Sequence, residues 1–256
     1  MSKAVILQHV AHEGPGRLAP KLNDYGLGVD VRRLYQGDLV PRTLDEVRLL
    51  VVMGGPMGVS DVGGQKYPFL KDEVELLRQA IALDHPVVGI CLGAQLLAHA
   101  AGAKVQPNVV PGPEIGWGPV TFPFPGGTDP IVAGLHDGAM MFHWHFDTFD
   151  LPKLPPAGGQ AAGGAPAVGC LLLSSTSKCR NQAFRFKGRL LGFQYHFEMD
   201  RQGIQAMLVH ARADVDKVLG PGGVDAIQRD TDRYYDDYER LGNRVIDNVL
   251  QYMKLI

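Results

Sequence analysis

Short apolar runs recur along the chain, and longer segments separate the early ones. Residues 49–53 read Leu-Leu-Val-Val-Met without polar alternation, which is typical of a strand covered on both faces of a parallel sheet. Residues 74–83 place apolar side chains at helical spacing and predict a crossover helix before the next run. This alternation predicts a doubly wound α/β fold with a mostly parallel, flavodoxin-like sheet and helices on both faces. The other predicted strands are residues 5–7, 29–31, 87–90, 171–173 and 190–195.

The second half of the chain departs from this alternation. Residues 111–127 are rich in Pro and Gly and the later runs lie closer together, so we expect a small antiparallel extension beside the main sheet. Residues 152–169 have little to bury and predict a mobile surface insertion. After Pro221, helical spacing of apolar positions predicts a long amphipathic helix; these positions are Ile227, Tyr234, Tyr238, Leu241, Val245 and Val249.

The length of the chain allows one large α/β domain or two small ones, and we expect one. We expect residues 1–256 to fold together, with a catalytic core over about residues 1–205 and a helical extension over about residues 206–256. The N-terminal apolar run is too short for a signal peptide or a membrane span, which favours a cytoplasmic protein without membrane contact.

Composition narrows the function classes. Lys and Arg number 25 against 27 Asp and Glu, and no run of like charge stands out, so nucleic acid is not an expected partner. A small molecule is favoured instead. The three cysteines are Cys91, Cys170 and Cys179, an odd number at wide spacing, which indicates free thiols rather than a disulfide framework.

Cys91 lies in the most informative segment. Residues 87–90 form an apolar strand that runs into Gly-Ile-Cys-Leu-Gly, a Gly-x-Cys-x-Gly frame. With Ser in place of Cys, this frame is the nucleophile elbow, in which flanking glycines let the chain turn sharply and present the side chain. A thiol at a helix N-terminus also has a lowered pKa, which favours the nucleophilic thiolate. Cys91 is therefore the predicted nucleophile, although most free cysteines are inert core residues.

A thiol nucleophile needs a base, and the base needs a group that orients it. The predicted strand over residues 190–195 leads into His196-Phe197-Glu198. Two-residue spacing on an extended chain points His196 and Glu198 to one face, so they can act together. A His-x-Glu pair on its own is common and has little predictive value. It indicates a catalytic pair here because the same chain also contains the elbow.

A glycine-rich turn follows the buried strand at residues 49–53. It reads Gly54-Gly55-Pro56, and such turns let backbone N–H groups approach a ligand. Because Pro56 has no N–H, Gly55 is the expected oxyanion donor, with the amide of Leu92 as the second. The turn lacks the phosphate-binding and dinucleotide-binding glycine patterns, so we expect no cofactor. An ordinary connection between a strand and a helix is the alternative.

Together the three segments resemble the class I glutamine amidotransferases, especially the glutaminase part of GMP synthase and its free-standing relatives. The matching segments are residues 54–56, 89–95 and 192–198, in that order along the chain. The resemblance implies that Cys91 attacks the side-chain amide of glutamine, releasing ammonia and leaving a γ-glutamyl thioester that water hydrolyses. One departure is Phe197, where many members have Pro; Phe adopts the same extended backbone.

The resemblance also implies residues that bind the substrate. Gln95, one helical turn beyond the nucleophile, is expected to contact glutamine. The segment that contains His145 and Asp147 is similar to the loop that meets the amino-acid end, where Asp147 can pair with the ammonium group. His143 and His145 could instead be two ligands of a zinc ion, but the sequence shows no third ligand, so no metal is expected.

Three functions remain open at this point. The first is a self-sufficient hydrolase of glutamine or a γ-glutamyl compound, since the chain carries no nucleotide-binding or synthetase motif. The second is a glutaminase subunit that delivers ammonia to a separate synthetase. The third is a non-catalytic binding or chaperone-like protein of the same fold. Neither the leaving group on the γ-carbonyl nor the oligomeric state follows from the sequence.

Overall fold

A computed structural model describes residues 3–153 and 169–256. The strands are, in chain order, β1 (Lys3–Gln8), β2 (Val29–Arg33), β3 (Val47–Val52), β4 (Val87–Ile90), β5 (Val105–Pro107), β6 (Glu114–Val120), β7 (Ala139–His145), β8 (Asp147–Phe149), β9 (Cys170–Ser174), β10 (Ala183–Phe186) and β11 (Leu190–Phe193). The helices are α1 (Leu18–Asp24), α2 (Phe69–Leu83), α3 (Leu92–Ala100), α4 (Arg201–His210), α5 (Arg212–Val218) and α6 (Gly223–Tyr252).

Seven strands form the central sheet, in the order β2-β1-β3-β4-β11-β10-β9. The first five of these are parallel, and β10 and β9 add antiparallel strands at one edge. The predicted doubly wound, mostly parallel sheet is confirmed. The predicted strand over residues 190–195 is shorter in the structure, because β11 ends at Phe193 and the chain then turns toward the site.

The residues of β1 show how the sheet is covered on both faces. Ala4 and Ile6 belong to one hydrophobic core, whereas Val5 and Leu7 belong to the other. Successive side chains of a strand point to opposite faces, so a run of four apolar residues serves both cores. Helices α1, α4, α5 and α6 pack on the first face, and α2 and α3 on the second.

The predicted small antiparallel extension is also present. It consists of two pairs, β5 with β8 and β6 with β7. The long helix predicted after Pro221 is α6, whose apolar face packs on β6 and β7. Most of the insertion predicted over residues 152–169 lies outside the described residues. No helix in the described ranges combines the length and the apolar character that a membrane crossing requires.

The sheet topology brings together the ends of several strands. Because β1, β3, β4 and β11 are parallel, their C-terminal ends meet at one edge of the sheet. Ligands of open α/β sheets bind at this edge. The segments that follow these four strands contain His9, Gly54, Cys91 and His196. A larger depression at the opposite edge, near Arg48, contains none of these residues.

Candidate active site

Cys91 occupies a strained turn between β4 and α3. Its φ of 52° and ψ of −108° lie outside the regions that non-glycine residues usually adopt. The flanking glycines are required by space: a Cβ on Gly89 would lie 2.5 Å from the carbonyl oxygen of Gly93, and one on Gly93 would collide with the carbonyl of Val52. The thiol is 5% exposed, and its Sγ donates to the carbonyl of Trp144 at 3.4 Å. This is the geometry expected of a nucleophile elbow.

His196 and Glu198 form a buried hydrogen-bonded pair. The Nδ1 atom of His196 lies 2.7 Å from Oε1 of Glu198, and Oε2 of Glu198 accepts from the backbone N–H of Phe197 at 2.9 Å. A carboxylate facing Nδ1 keeps the proton on that nitrogen, which leaves Nε2 free to take a proton. Nε2 has no hydrogen-bond partner within the described ranges. The backbone N–H of His196 donates to the carbonyl of Phe142 on β7, which fixes the segment beyond β11.

The side chains of Cys91 and His196 both lie against the turn at Gly54. A Cβ on Gly54 would lie 3.1 Å from Cε1 of His196 and 3.5 Å from Cβ of Cys91. Burial alone would lower the pKa of His196, but Glu198 and the thiol raise this pKa well above its ordinary value. The pKa of Cys91 is raised, because burial outweighs the opposing effects of His196 and the Leu92 amide. The lowered pKa expected for a thiol at a helix N-terminus is therefore wrong. A proton can therefore pass between the two groups.

The two predicted oxyanion donors lie beside the thiol. Gly55 packs against Leu92, since a Cβ on Gly55 would lie 3.2 Å from Cδ2 of Leu92. Neither amide donates to a backbone carbonyl within the described parts of the chain. The turn is held from behind by His9, whose Nδ1 donates to the carbonyl of Gly54 at 2.8 Å and whose Nε2 lies 3.0 Å from both carboxylate oxygens of Glu73. Unpaired amides on a fixed turn can stabilise a developing oxyanion.

A cleft of about 280 Å³ opens beside Cys91 and includes the predicted substrate residues Gln95, His145 and Asp147 in its wall. Gln95 donates through Nε2 to Oε1 of Gln194 at 3.2 Å, which orients its amide. The carboxyl group of Asp147 is about half-buried, and burial raises its pKa. The buried ring of His145 has both nitrogens engaged, one by the carbonyl of Asp147 and the other by Glu114.

Glu114, His143 and His145 are the described residues whose side chains could hold a metal ion, with one ligand atom from each within 4.8 Å of the others. The sequence did not identify Glu114 as a third ligand, because the pairing of β6 with β7 places it opposite His145. Its carboxylate already accepts hydrogen bonds from Thr176 and Gln182 in addition to facing His145. These contacts occupy both carboxylate oxygens and join the extension to the edge of the sheet.

Two acidic residues of the cleft were not predicted from the sequence. Glu13 follows β1 and is 6% exposed, and Asp214 comes from α5 in the helical extension. The position of Glu13 just beyond a parallel strand is a signal that could have identified it, because such positions lie at the ligand-binding edge. Asp214 has no such signal, since its place depends on how α5 packs.

Comparison with known proteins finds relatives among the glutamine amidotransferases. The chain is 28% identical to YfeJ of Salmonella typhimurium, described as a glutamine amidotransferase-like protein, over 83% of this chain and 82% of YfeJ. It is 30% identical to a GMP synthase of Porphyromonas gingivalis over 65% of this chain, a match that spans 28% of the synthase. A glutamine amidotransferase structure from Methylobacillus flagellatus superposes with a TM-score of 0.79 at 27% identity, covering 98% of this chain and 95% of that one.

The family assignment rests on a longer match than any single motif. Residues 17–210 match the family described as glutamine amidotransferase class-I. This span contains the elbow, the glycine turn and the segment that carries His196. The chain therefore belongs to the class I glutamine amidotransferases.

Proposed function

We propose that this protein hydrolyses the γ-amide bond of glutamine or of a γ-glutamyl compound, with Cys91 as nucleophile, His196 as base and Glu198 as the group that orients the base. The observation that carries the proposal is the crowding of the thiol and the imidazole around Gly54, with Glu198 at 2.7 Å behind the ring. Membership of the family supports glutamine hydrolysis in general.

In the first half of the reaction, the sulfur of Cys91 attacks the γ-carbonyl carbon while His196 takes the thiol proton. The amides of Gly55 and Leu92 stabilise the negative charge that develops on the carbonyl oxygen. The carbon–nitrogen bond then breaks, and His196 gives its proton to the departing nitrogen. In the second half, His196 takes a proton from water and the resulting hydroxide attacks the thioester carbon. The carbon–sulfur bond then breaks, glutamate is released, and His196 returns the proton to the sulfur.

The test uses the purified chain with glutamine and a panel of γ-glutamyl amides, measuring glutamate release. We expect turnover that Cys91→Ala abolishes and Cys179→Ala leaves unchanged, because Cys179 lies outside the cleft. A glutamine analogue that carries an electrophile should form its adduct on Cys91, which peptide mass spectrometry detects. An adduct on another cysteine, or no turnover of any compound, would contradict the proposal and favour a binding protein of the same fold.

A second candidate is a glutaminase subunit that passes ammonia to a separate synthetase. It is favoured by the GMP synthase relatives, of which this chain matches only a part. Glutamine turnover would then be low in the purified chain and rise strongly when cell extract is added. Turnover that extract does not change would exclude this candidate.

A further inference from the structure

The walls of the cleft beside Cys91 carry an unbalanced charge. Three carboxylates line it, those of Glu13, Asp147 and Asp214, whereas no Lys or Arg does so among the described residues. His12 also lines the cleft, but burial and the neighbouring His210 lower its pKa, so it is largely uncharged at neutral pH. A ligand in this cleft therefore meets a negative field.

Glu13 is the most deeply buried of the three carboxylates. Its carboxylate receives no hydrogen bond from the described residues, and Nε2 of the largely uncharged His12 lies 4.0 Å from its Oε1. Burial raises the pKa of Glu13, while His196 and His9 lower it. An almost buried carboxylate without donors is costly unless a cation reaches it. A positively charged ligand group would meet that need.

Glu13 also lies next to the reacting groups. A Cβ on Gly54 would touch Oε2 of Glu13 as well as the ring of His196 and the side chain of Cys91. Glu13 therefore lies beside His196, the group that delivers the proton to the departing nitrogen in the proposed reaction. Its carboxylate is therefore placed to act on the leaving group.

Asp214 adds a further negative charge to the wall of the cleft. It accepts a hydrogen bond from Nε1 of Trp144 at 3.3 Å, and its charge contributes to raising the pKa of Glu13. Asp147 lies near Gly58, just beyond the glycine turn, and is the residue expected to pair with the glutamyl ammonium group. One ammonium group can pair with Asp147, but Glu13 then faces only the imidazoles of His196 and His9, which already pair with Glu198 and Glu73. Asp214 has only the neutral indole of Trp144. Glutamine, which has a single ammonium group and releases uncharged ammonia from its amide, does not balance this cleft.

We propose that the preferred substrate is a γ-glutamyl amide of a diamine or polyamine, with the distal ammonium of the leaving amine bound between Glu13 and Asp214 and the glutamyl ammonium at Asp147. This inference rests on the proposed hydrolytic function and adds the chemical class of the leaving group. The atoms balance as in the general reaction: the carbon–nitrogen bond breaks, the amine takes a proton from His196, and water supplies the oxygen of glutamate.

The test compares γ-glutamyl amides of equal length that differ only in the charge at the far end. The amines are 1,4-diaminobutane, butylamine and 4-aminobutyrate, with glutamine as the reference. We expect kcat/KM for the diaminobutane amide to exceed that for the butyl amide by about tenfold or more, because one buried charged contact contributes on this scale. The 4-aminobutyrate amide should be the poorest, and added salt should reduce the differences.

Three variants test the named carboxylates. Glu13→Gln and Asp214→Asn should each lower the ratio of kcat/KM for the diaminobutane amide to that for the butyl amide, and Asp214→Lys should move the preference toward the 4-aminobutyrate amide. The ratio does not depend on how much of a variant folds, because both substrates report the same enzyme. Asp216→Asn is the matched control, since it changes an exposed residue of the same helix that does not line the cleft.

The possible outcomes separate this inference from the function on which it rests. Hydrolysis that requires Cys91 but shows equal rates for the three amides, or a preference for 4-aminobutyrate, overturns the inference and leaves the hydrolase in place. Hydrolysis of none of the compounds, with no adduct on Cys91, removes both. A preference for the diaminobutane amide that Glu13→Gln and Asp214→Asn leave unchanged overturns the roles of these carboxylates.

Discussion

Two buried histidines of this protein have opposite electrostatic environments. His143 and His196 are each 1% exposed, yet burial lowers the pKa of His143 to about 4, whereas the pKa of His196 is raised well above its ordinary value. The difference lies in the partner. His196 has a carboxylate 2.7 Å from Nδ1, whereas the partner of His143 is the carbonyl oxygen of Gly118, 3.2 Å from Nε2. Burial removes water from both rings, and a directly bonded carboxylate decides which of them can hold a proton.

The largest expected effect separates the two histidines by activity. His196→Ala should reduce kcat by about three to four orders of magnitude, the scale of losing a base in a catalytic triad. His143→Asn should leave kcat nearly unchanged, because His143 does not line the cleft. Steady-state rates of glutamate release from the same γ-glutamyl amide measure both. Equal losses in the two variants would show that the contrast between the rings has no catalytic meaning.

The second prediction concerns Glu198, the carboxylate that distinguishes the ring of His196 from that of His143. In Glu198→Gln, burial is no longer opposed by a full charge, so the pKa of His196 should fall and kcat should drop by about two to three orders of magnitude. NMR of histidine-labelled protein follows the ring resonance of His196 against pH. Glu114→Gln changes the carboxylate beside His145 instead, and it should leave the titration of His196 in place. A pKa of His196 that does not move in Glu198→Gln would refute the pairing as its cause.

The same comparison shows what could be predicted from the sequence. Cys91 and the pair His196 and Glu198 were predicted from local frames, because each frame fixes its own geometry within a few residues. The helix α6 was predicted from its spacing for the same reason. Glu114 could not be assigned to the neighbourhood of His143, since that depends on the register of β6 against β7.

The charge of the cleft was even harder to predict from the sequence. Glu13 and Asp214 are about two hundred residues apart, and they meet only because α5 packs over the edge of the sheet. A charge on a single residue carries no information about which other charges it will face in the folded chain. The elbow at Cys91 was therefore predictable, whereas the residues proposed to bind the leaving group were not.

A third prediction concerns stability rather than rate. The pKa of His143 is about 4 in the folded chain and about 6.5 when unfolded, so the unfolded state binds this proton first as the pH falls. Its contribution to stability is present in full above pH 6.5 and is lost as the pH falls toward 4, by about 3 kcal/mol in total.

Denaturant unfolding at a series of pH values measures this loss. His143→Asn should show a shallower fall in the free energy of unfolding over that range, because the substituted residue does not titrate. His136→Asn, at an exposed histidine, should follow the wild-type curve. Parallel curves for wild type and His143→Asn would contradict the low pKa of His143.

The smallest expected effect concerns a third buried histidine, His9. It tests whether a histidine paired with a carboxylate can have a purely structural role. His9 resembles His196, because burial would lower its pKa but Glu73 raises it. Its ring donates to the carbonyl of Gly54, so the pair holds the turn that presents Gly55. Glu73→Gln keeps the shape of the side chain but removes its charge, which should let the turn move.

We expect Glu73→Gln to lower kcat by about tenfold with little change in KM, since an oxyanion donor acts mainly in the transition state. The free energy of unfolding should fall by about 1–3 kcal/mol, the usual contribution of a hydrogen bond to a charged group. Glu75→Gln, two residues along the same helix and exposed, is the matched control and should change neither quantity. A loss of stability without a loss of kcat would mean that the position of Gly55 does not depend on His9. In that case a raised pKa of a buried histidine would indicate a catalytic role only where the ring also lies beside the thiol, as the ring of His196 does.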